Sequence, residues 1–205
     1  MKKKLIKTST RILQKNNYSD DEIEVIVYGL EGLYLTLTKL IVILAISIIF
    51  KVTKEVIFLL ISYNIIRSQA FGIHASKSIY CLISSLLFFI GGAIICKYVT
   101  IPFNAMIVIS LICDICLLAY APADTHKRPI IQSKRRKKFK LFSFALGLIY
   151  TVLIIIHHEQ IISSYLLVGM IEAVLMILPI TYNIFKMPYN NYKTYYSDVK
   201  LVSNN

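Results

Sequence analysis

Two stretches of this chain, Ser78 to Cys96 and Leu141 to Ile156, contain no charged residue. Two longer ones carry one each: Tyr98 to Ala123 is interrupted only by Asp114, and Gln160 to Phe185 only by Glu172. The hydrocarbon core of a bilayer is about 30 Å thick and a helix rises about 1.5 Å per residue, so roughly 20 apolar residues cross it. Such stretches fill so much of a 205-residue chain that no sizeable soluble domain fits beside them. Only 17% of residues are charged, against about a quarter in soluble domains. The fold class expected is all-α: a polytopic helical membrane protein with about six spans, at 33–50, 55–70, 79–97, 101–120, 141–157 and 161–185. Residues 1–30 read as an amphipathic N-terminal region, 31–186 as one integral membrane domain and 187–205 as a polar, Tyr-rich tail. The basic start Lys2-Lys3-Lys4 is not expected to open a cleavable signal, because the first long apolar run begins only near Leu33.

Charge sets the expected orientation. Cytoplasmic loops collect Lys and Arg. With the N-terminus inside, nineteen basic residues fall on the cytoplasmic side, against Lys51, Lys54 and Lys97 outside. Both termini are therefore expected in the cytoplasm. The net charge of +12 sits beside membrane spans, so anionic inner-leaflet lipid is the expected partner, at about 1 kcal/mol per residue near the surface, and nucleic acid is not. The cluster Lys127, Arg128, Lys134, Arg135, Arg136, Lys137 and Lys138, in the expected loop after span four, would also attract an acidic peptide.

Leu5, Ile6, Ile12 and Leu13 share one face of an expected surface-lying basic helix. Ser19-Asp20-Asp21-Glu22 has capping-box spacing, so a second helix should start near Asp20 and run into span one. Span two is short, with Arg67 at its end. Either Arg67 snorkels, or the turn after this span is sunk into the cytoplasmic half of the membrane.

The chemistry is concentrated in Arg67-Ser68-Gln69-Ala70-Phe71-Gly72-Ile73-His74-Ala75-Ser76-Lys77-Ser78-Ile79-Tyr80-Cys81. A cysteine nucleophile needs a base to become thiolate, and histidine suits both that step and later protonation of the leaving amine. On one continuous helix His74 and Cys81 would stand about 10.5 Å apart along the axis, beyond the roughly 3 Å of a hydrogen bond. The chain must therefore bend. Gly72 permits it, and Ser76 or Ser78 can cap a new helix with Cys81 in its first turns, where a thiolate is favoured. Arg67 and Gln69 are candidate oxyanion donors, and Gln69 and Asp124 candidates for orienting His74. Cys96, Cys113 and Cys116 lie in apolar runs and read as small hydrophobes, not as a disulfide framework.

This segment resembles the accessory gene regulator B family, bacterial membrane peptidases that process quorum-sensing peptide precursors. The resemblance rests on Arg67, on Ala70-Phe71-Gly72-Ile73-His74-Ala75, and on Cys81 seven residues after the histidine. A second family-like feature is the stretch Ala121-Pro122-Ala123-Asp124 through Lys127-Arg128-Pro129-Ile130 with basic residues after it. The resemblance implies that Cys81 attacks a peptide bond in a membrane-associated propeptide with an acidic C-terminal tail, with His74 as base. It further implies a thioester intermediate, closure of a thiolactone, no cofactor or metal, and a homodimer in the bacterial plasma membrane.

Two rival classes are weighed beside it. A small-peptide transporter would use Asp114 and Glu172 as intramembrane functional groups, and each is expected to face the protein interior. It lacks recognisable internal repeats. A metal peptidase on His74, Cys81, Asp124 and His126 lacks a His-Glu-x-x-His pattern.

Overall fold

The computed structural model describes residues 2–16, 18–73, 78–125, 129–157 and 160–193. Among the candidate residues, His74, Lys127 and Arg128 lie outside these ranges, as do Ser76 and His126. The chain divides into two compact units, Met1–Ile49 and Phe50–Asn205.

The first unit holds α1 (Lys2–Lys15) and α2 (Asp20–Ile49). The expected capping box forms at the start of α2. Ser19 donates its backbone N–H and its Oγ–H to the Glu22 carboxylate at 2.9 and 2.8 Å, and the Glu22 N–H returns to Ser19 Oγ at 3.4 Å. These bonds to Ser19, the backbone one first, hold the Glu22 carboxyl below its ordinary pKa. A lowered folded pKa means that the capping contribution is complete above the ordinary glutamate value and is lost as pH falls through the folded one. Carboxyl-carbon NMR titration should therefore place the Glu22 midpoint below that of an exposed glutamate. Ser19→Ala, which removes the Oγ bonds and keeps the backbone N–H, should move it part of the way back to the ordinary value, and an unchanged midpoint would show that the box does not hold in the membrane-embedded protein.

The second unit comprises α3 (Thr53–Ala70), α4 (Ser78–Tyr98), α5 (Phe103–Tyr120), α6 (Ser133–Ile156), α7 (Gln160–Leu175) and α8 (Pro179–Ile184). The fold is all-α, with no β-strand among the described residues. Among the described residues, four helical segments are long and apolar enough to cross a bilayer: Val25–Ile49, Cys81–Tyr98, Phe103–Tyr120 and Ser133–Ile156. α3 is an 18-residue helix that includes Lys54, Glu55 and Arg67, and α7 has 16 residues.

Two elements differ from the sequence reading. The basic run from Lys134 to Lys140 forms the first turns of α6, where a loop was expected. Lys and Arg are good helix formers, and nothing after Pro129 breaks the chain. The apolar run 161–185 is also not one helix. α7 stops at Leu175, and α8 restarts with Pro179 at its first position. Proline lacks the N–H that a continuing helix needs, but suits a helix start.

α3 packs on α7, α4 and α6, and α5 on α6 and α7. Small residues permit the close approaches, as expected where helices associate without a hydrophobic drive. A Cβ on Gly169 of α7 would stand 2.8 Å from Ser62 Cβ and 3.0 Å from the Tyr63 backbone nitrogen of α3. Polar groups tie the interior together. Tyr150 Oη donates to the Ser62 carbonyl at 3.0 Å, and Thr151 Oγ1 to Asp114 Oδ2 at 2.7 Å. Asp114 and Glu172 both face inward, each 3% exposed. Leu111, Ile112, Ile115 and Leu118 of α5 are exposed, as a lipid-facing stripe requires. The main buried cluster includes Ile66, Ala70 and Ile73, then Leu117, Ala121 and Ala123, and Val174, Ile177 and Tyr182. It lies at the end of the bundle where α3, α5 and α7 finish and α4 and α6 begin.

Candidate active site

The last turn of α3 carries Arg67, and the Phe71 N–H still donates to its carbonyl at 3.0 Å. The helix then breaks: Phe71 stands at φ 58° and Gly72 at φ 118°. For glycine such values cost nothing sterically, whereas Phe71 is held in a left-handed conformation, on the order of 1–3 kcal/mol. The Phe71 ring meets Phe139 of α6 edge-on, with centroids 4.9 Å apart.

The reversed chain lies beside the segment that follows α5. The Gly72 N–H donates to the Ala123 carbonyl at 2.8 Å and the Ala123 N–H to the Ala70 carbonyl at 3.0 Å, which makes an isolated parallel bridge. The Ile73 N–H reaches the Met176 carbonyl in the break after α7 at 3.1 Å, and Arg67 Nη2 donates to the Ile73 carbonyl. The next residue is His74. Three elements therefore grip the chain immediately before it.

Arg67 Nη1 is buried with no hydrogen-bond partner among the described residues. A buried guanidinium N–H without an acceptor is costly, so an arriving anionic oxygen would find a ready donor there. The Arg67 guanidinium also lies 5.6 Å from the Tyr63 ring centre. α4 starts at Ser78, which puts Cys81 at the end of its first turn, half-buried and outside any disulfide. The N-terminal turn of a helix presents unsatisfied N–H groups and a partial positive charge. Gln69 donates to Ser68 Oγ at 3.2 Å.

Asp124 is the most heavily bonded candidate. Its side chain is 1% exposed, and Arg136 Nη1 of α6 donates to Oδ2 at 3.2 Å. Backbone N–H groups of Asn191, Tyr192 and Ile130 reach the same carboxylate at 3.1, 3.0 and 3.4 Å. The Asp124 carbonyl accepts from Tyr182 Oη at 2.9 Å and Asn191 Nδ2 at 3.3 Å. The Arg136 guanidinium carbon lies 3.5 Å from the centre of the Tyr192 ring. Of the other basic candidates, Lys134, Arg135, Lys137 and Lys138 are exposed on the first turns of α6. A cleft of about 550 Å3 opens there, lined among others by Pro122, Ser133, Arg136, Lys137, Lys140 and Tyr189. Burial, together with Tyr120 nearby, pushes the Tyr189 phenol above its ordinary value, so it remains a donor at neutral pH.

A family profile described as "Accessory gene regulator B" matches residues 6–178. The chain belongs to that family. It is similar to a "Putative AgrB-like protein" of Clostridium acetobutylicum, 32% identical over 84% of this chain and 82% of the relative. A protein of the same name from Listeria innocua is 30% identical over 90% of this chain and 91% of its own length. The "Accessory gene regulator protein B" of Staphylococcus aureus is 30% identical over 86% of this chain and 94% of its own length. No solved structure matches the chain. Membership of the accessory gene regulator B family implies a role in the quorum-sensing system that bears that name.

Within this family member the structure brings Arg67, Gly72 and Asp124 into one bonded cluster, through Ile73 and Ala123. Arg136, read in the sequence as one of a basic cluster facing anionic lipid or an acidic peptide, is taken up by Asp124 and Tyr192. Met176, Tyr182, Asn191 and Tyr192 are site-building residues that sequence reasoning did not single out. Their one advance signal was the break at Pro179 and Pro188 inside a Tyr-rich stretch.

Proposed function

We propose that this protein is a membrane cysteine endopeptidase that removes the C-terminal tail of a quorum-sensing propeptide through a Cys81 thioester. The observation that carries the reading is the broken path from α3 to α4. The α3 helix ends at Ala70 and α4 begins at Ser78, so Cys81 stands in a helix's first turn and His74 in the connection before it. A continuous helix would have kept the two apart.

In the proposed reaction His74 takes the Cys81 thiol proton as sulfur attacks the scissile carbonyl, and Arg67 Nη1 is the donor available to the oxyanion. Collapse of that intermediate breaks the C–N bond, and the proton held by His74 goes to the departing amine. The acyl fragment stays on Cys81 as a thioester. A cysteine thiol of the same fragment then displaces Cys81, giving a thiolactone and regenerating the enzyme thiol. One thioester replaces another, so little free energy is lost, whereas hydrolysis would discard the activation. An acidic departing tail is drawn to Lys134, Arg135, Lys137 and Lys138, with Lys127 and Arg128 adding charge.

The reading includes a plasma-membrane location with this end of the bundle in the cytoplasm, where the basic residues meet anionic lipid, and a homodimer as the working form. The transporter reading is less well supported. Asp114 accepts from Thr151, and a Cβ on Gly147 would meet Leu117 at 2.7 Å and Met170 at 3.3 Å beside it, which describes a packed helix contact.

The test is co-expression with a candidate propeptide. Wild type should release the tail, and brief acid quenching should trap an adduct on the Cys81 peptide that hydroxylamine removes. Cys81→Ala should give neither. Equal tail release by wild type and Cys81→Ala would end the peptidase reading.

A further inference from the structure

We infer that residues 182–192 form a strap that positions His74, acting through Asp124. The inference rests on the peptidase reading above and extends the site beyond residue 178, where the match to the family profile stops.

The path is a chain of bonds. Two successive backbone N–H groups of the strap, those of Asn191 and Tyr192, close on the two oxygens of the Asp124 carboxylate at 3.1 and 3.0 Å. Asn191 Nδ2 and Tyr182 Oη hold the Asp124 carbonyl. Arg136 balances the buried charge from α6 and lies over the Tyr192 ring, so the strap also covers that ion pair. Tyr189 and Tyr182 meet edge-on with centroids 5.0 Å apart, which folds the strap onto α8.

Among the described residues four donors reach the Asp124 carboxylate, three on Oδ2 and one on Oδ1. Its effect runs through the main chain. Ala123, its neighbour, makes both bonds of the bridge to Ala70 and Gly72. Gly72 and Ile73 lead directly into His74. Losing the strap's donors would leave a buried carboxylate short of partners next to that bridge, and the segment would shift to rehydrate it. Asp124 is thus a positioning residue. A displacement of about 1 Å at a reacting group costs on the order of 100-fold in rate, with little effect on substrate binding.

The test uses the full-length protein, with Asp124→Asn, Tyr182→Phe and Asn191→Pro, which lacks the N–H that reaches Asp124 Oδ1. Three quantities are read: kcat and KM for tail release, the pH dependence of Cys81 alkylation by iodoacetamide without propeptide, resolved by peptide mass spectrometry, and thermal stability. Asp124→Asn and Asn191→Pro should lower kcat about tenfold or more while KM changes little. Their alkylation profiles should move toward that of His74→Ala. Tyr182→Phe, which removes one donor, should give a smaller shift in the same direction.

A merely structural strap would lower thermal stability and leave the alkylation profile of the folded protein at the wild-type position, and that result overturns the inference. Should Asp124→Asn fail to fold, Tyr182→Phe decides on the same readouts. If His74→Ala itself leaves the Cys81 profile unchanged, the peptidase reading fails and the strap inference with it. If His74→Ala shifts the profile and the strap variants do not, only the strap inference fails.

Discussion

Gly72→Ala should reduce tail release by about 100-fold or more while the helices around it stay folded. The residue stands at φ 118°, a region closed to side-chain-bearing L-residues. An added Cβ would also sit 2.6 Å from Arg67 Nη1 and 2.6 Å from the Met176 carbonyl oxygen. The arginine tip can yield, but the Met176 oxygen is backbone and is the acceptor for the Ile73 N–H. Relief of the strain therefore breaks the Ile73–Met176 bond, the Gly72–Ala123 bond or both. Backbone strain of about 1–3 kcal/mol and lost hydrogen bonds of about 1 kcal/mol each are local costs. They fall short of the roughly 5–15 kcal/mol that holds a domain together. The bundle survives, and the segment that feeds His74 does not keep its path. Gly91→Ala is the control, since a Cβ there meets nothing within 4 Å, and it should process normally. Release by Gly72→Ala within about threefold of wild type would show that the turn does not control the nucleophile's base.

Much of this architecture is legible in the sequence because lipid imposes one strong rule. Long apolar runs must become helices, so the runs at 79–97 and 101–120 correspond to α4 at Ser78–Tyr98 and α5 at Phe103–Tyr120. The rule is silent where charge returns. The basic run before Leu141 looks like a loop by polarity, yet Lys and Arg extend a helix readily, and α6 begins at Ser133. Arg67, Gly72 and Cys81 stand out in the sequence because they share one short stretch. The partners of Asp124 do not, since Asn191 and Tyr192 bind it through backbone N–H groups 67 and 68 positions away. A backbone donor carries no sequence signature, and the two residues could have been many others without changing that bond. The side-chain donors Tyr182 and Arg136 were visible as residue types, but nothing local shows that they converge.

Gly169→Leu should have the largest effect on stability. Gly169 is where α7 meets α3 with only backbone and small atoms between them, at 2.8 Å to Ser62 Cβ and 3.0 Å to the Tyr63 nitrogen from an added Cβ. Neither atom is the far end of a flexible side chain, so the helices themselves must separate. Overpacking of this kind costs about 1–3 kcal/mol or more. The displacement also strains the Tyr150–Ser62 bond from α6, worth about 1 kcal/mol. For a chain of this size the sum corresponds to a Tm drop on the order of 10 °C. The site is coupled to the same contact. Met176 follows Gly169 by roughly two helical turns, and its carbonyl holds the Ile73 N–H. A displaced α7 takes that acceptor with it, so the protein that remains folded should also process slowly. Thermal unfolding in detergent, followed by size-exclusion fluorescence, measures the first effect, and tail release at a temperature below both transitions measures the second. Ser62→Gly, which removes the facing Cβ, should restore part of the Tm lost in Gly169→Ala. A Gly169→Leu protein with wild-type Tm would mean that α3 and α7 are not in contact at this level of the membrane.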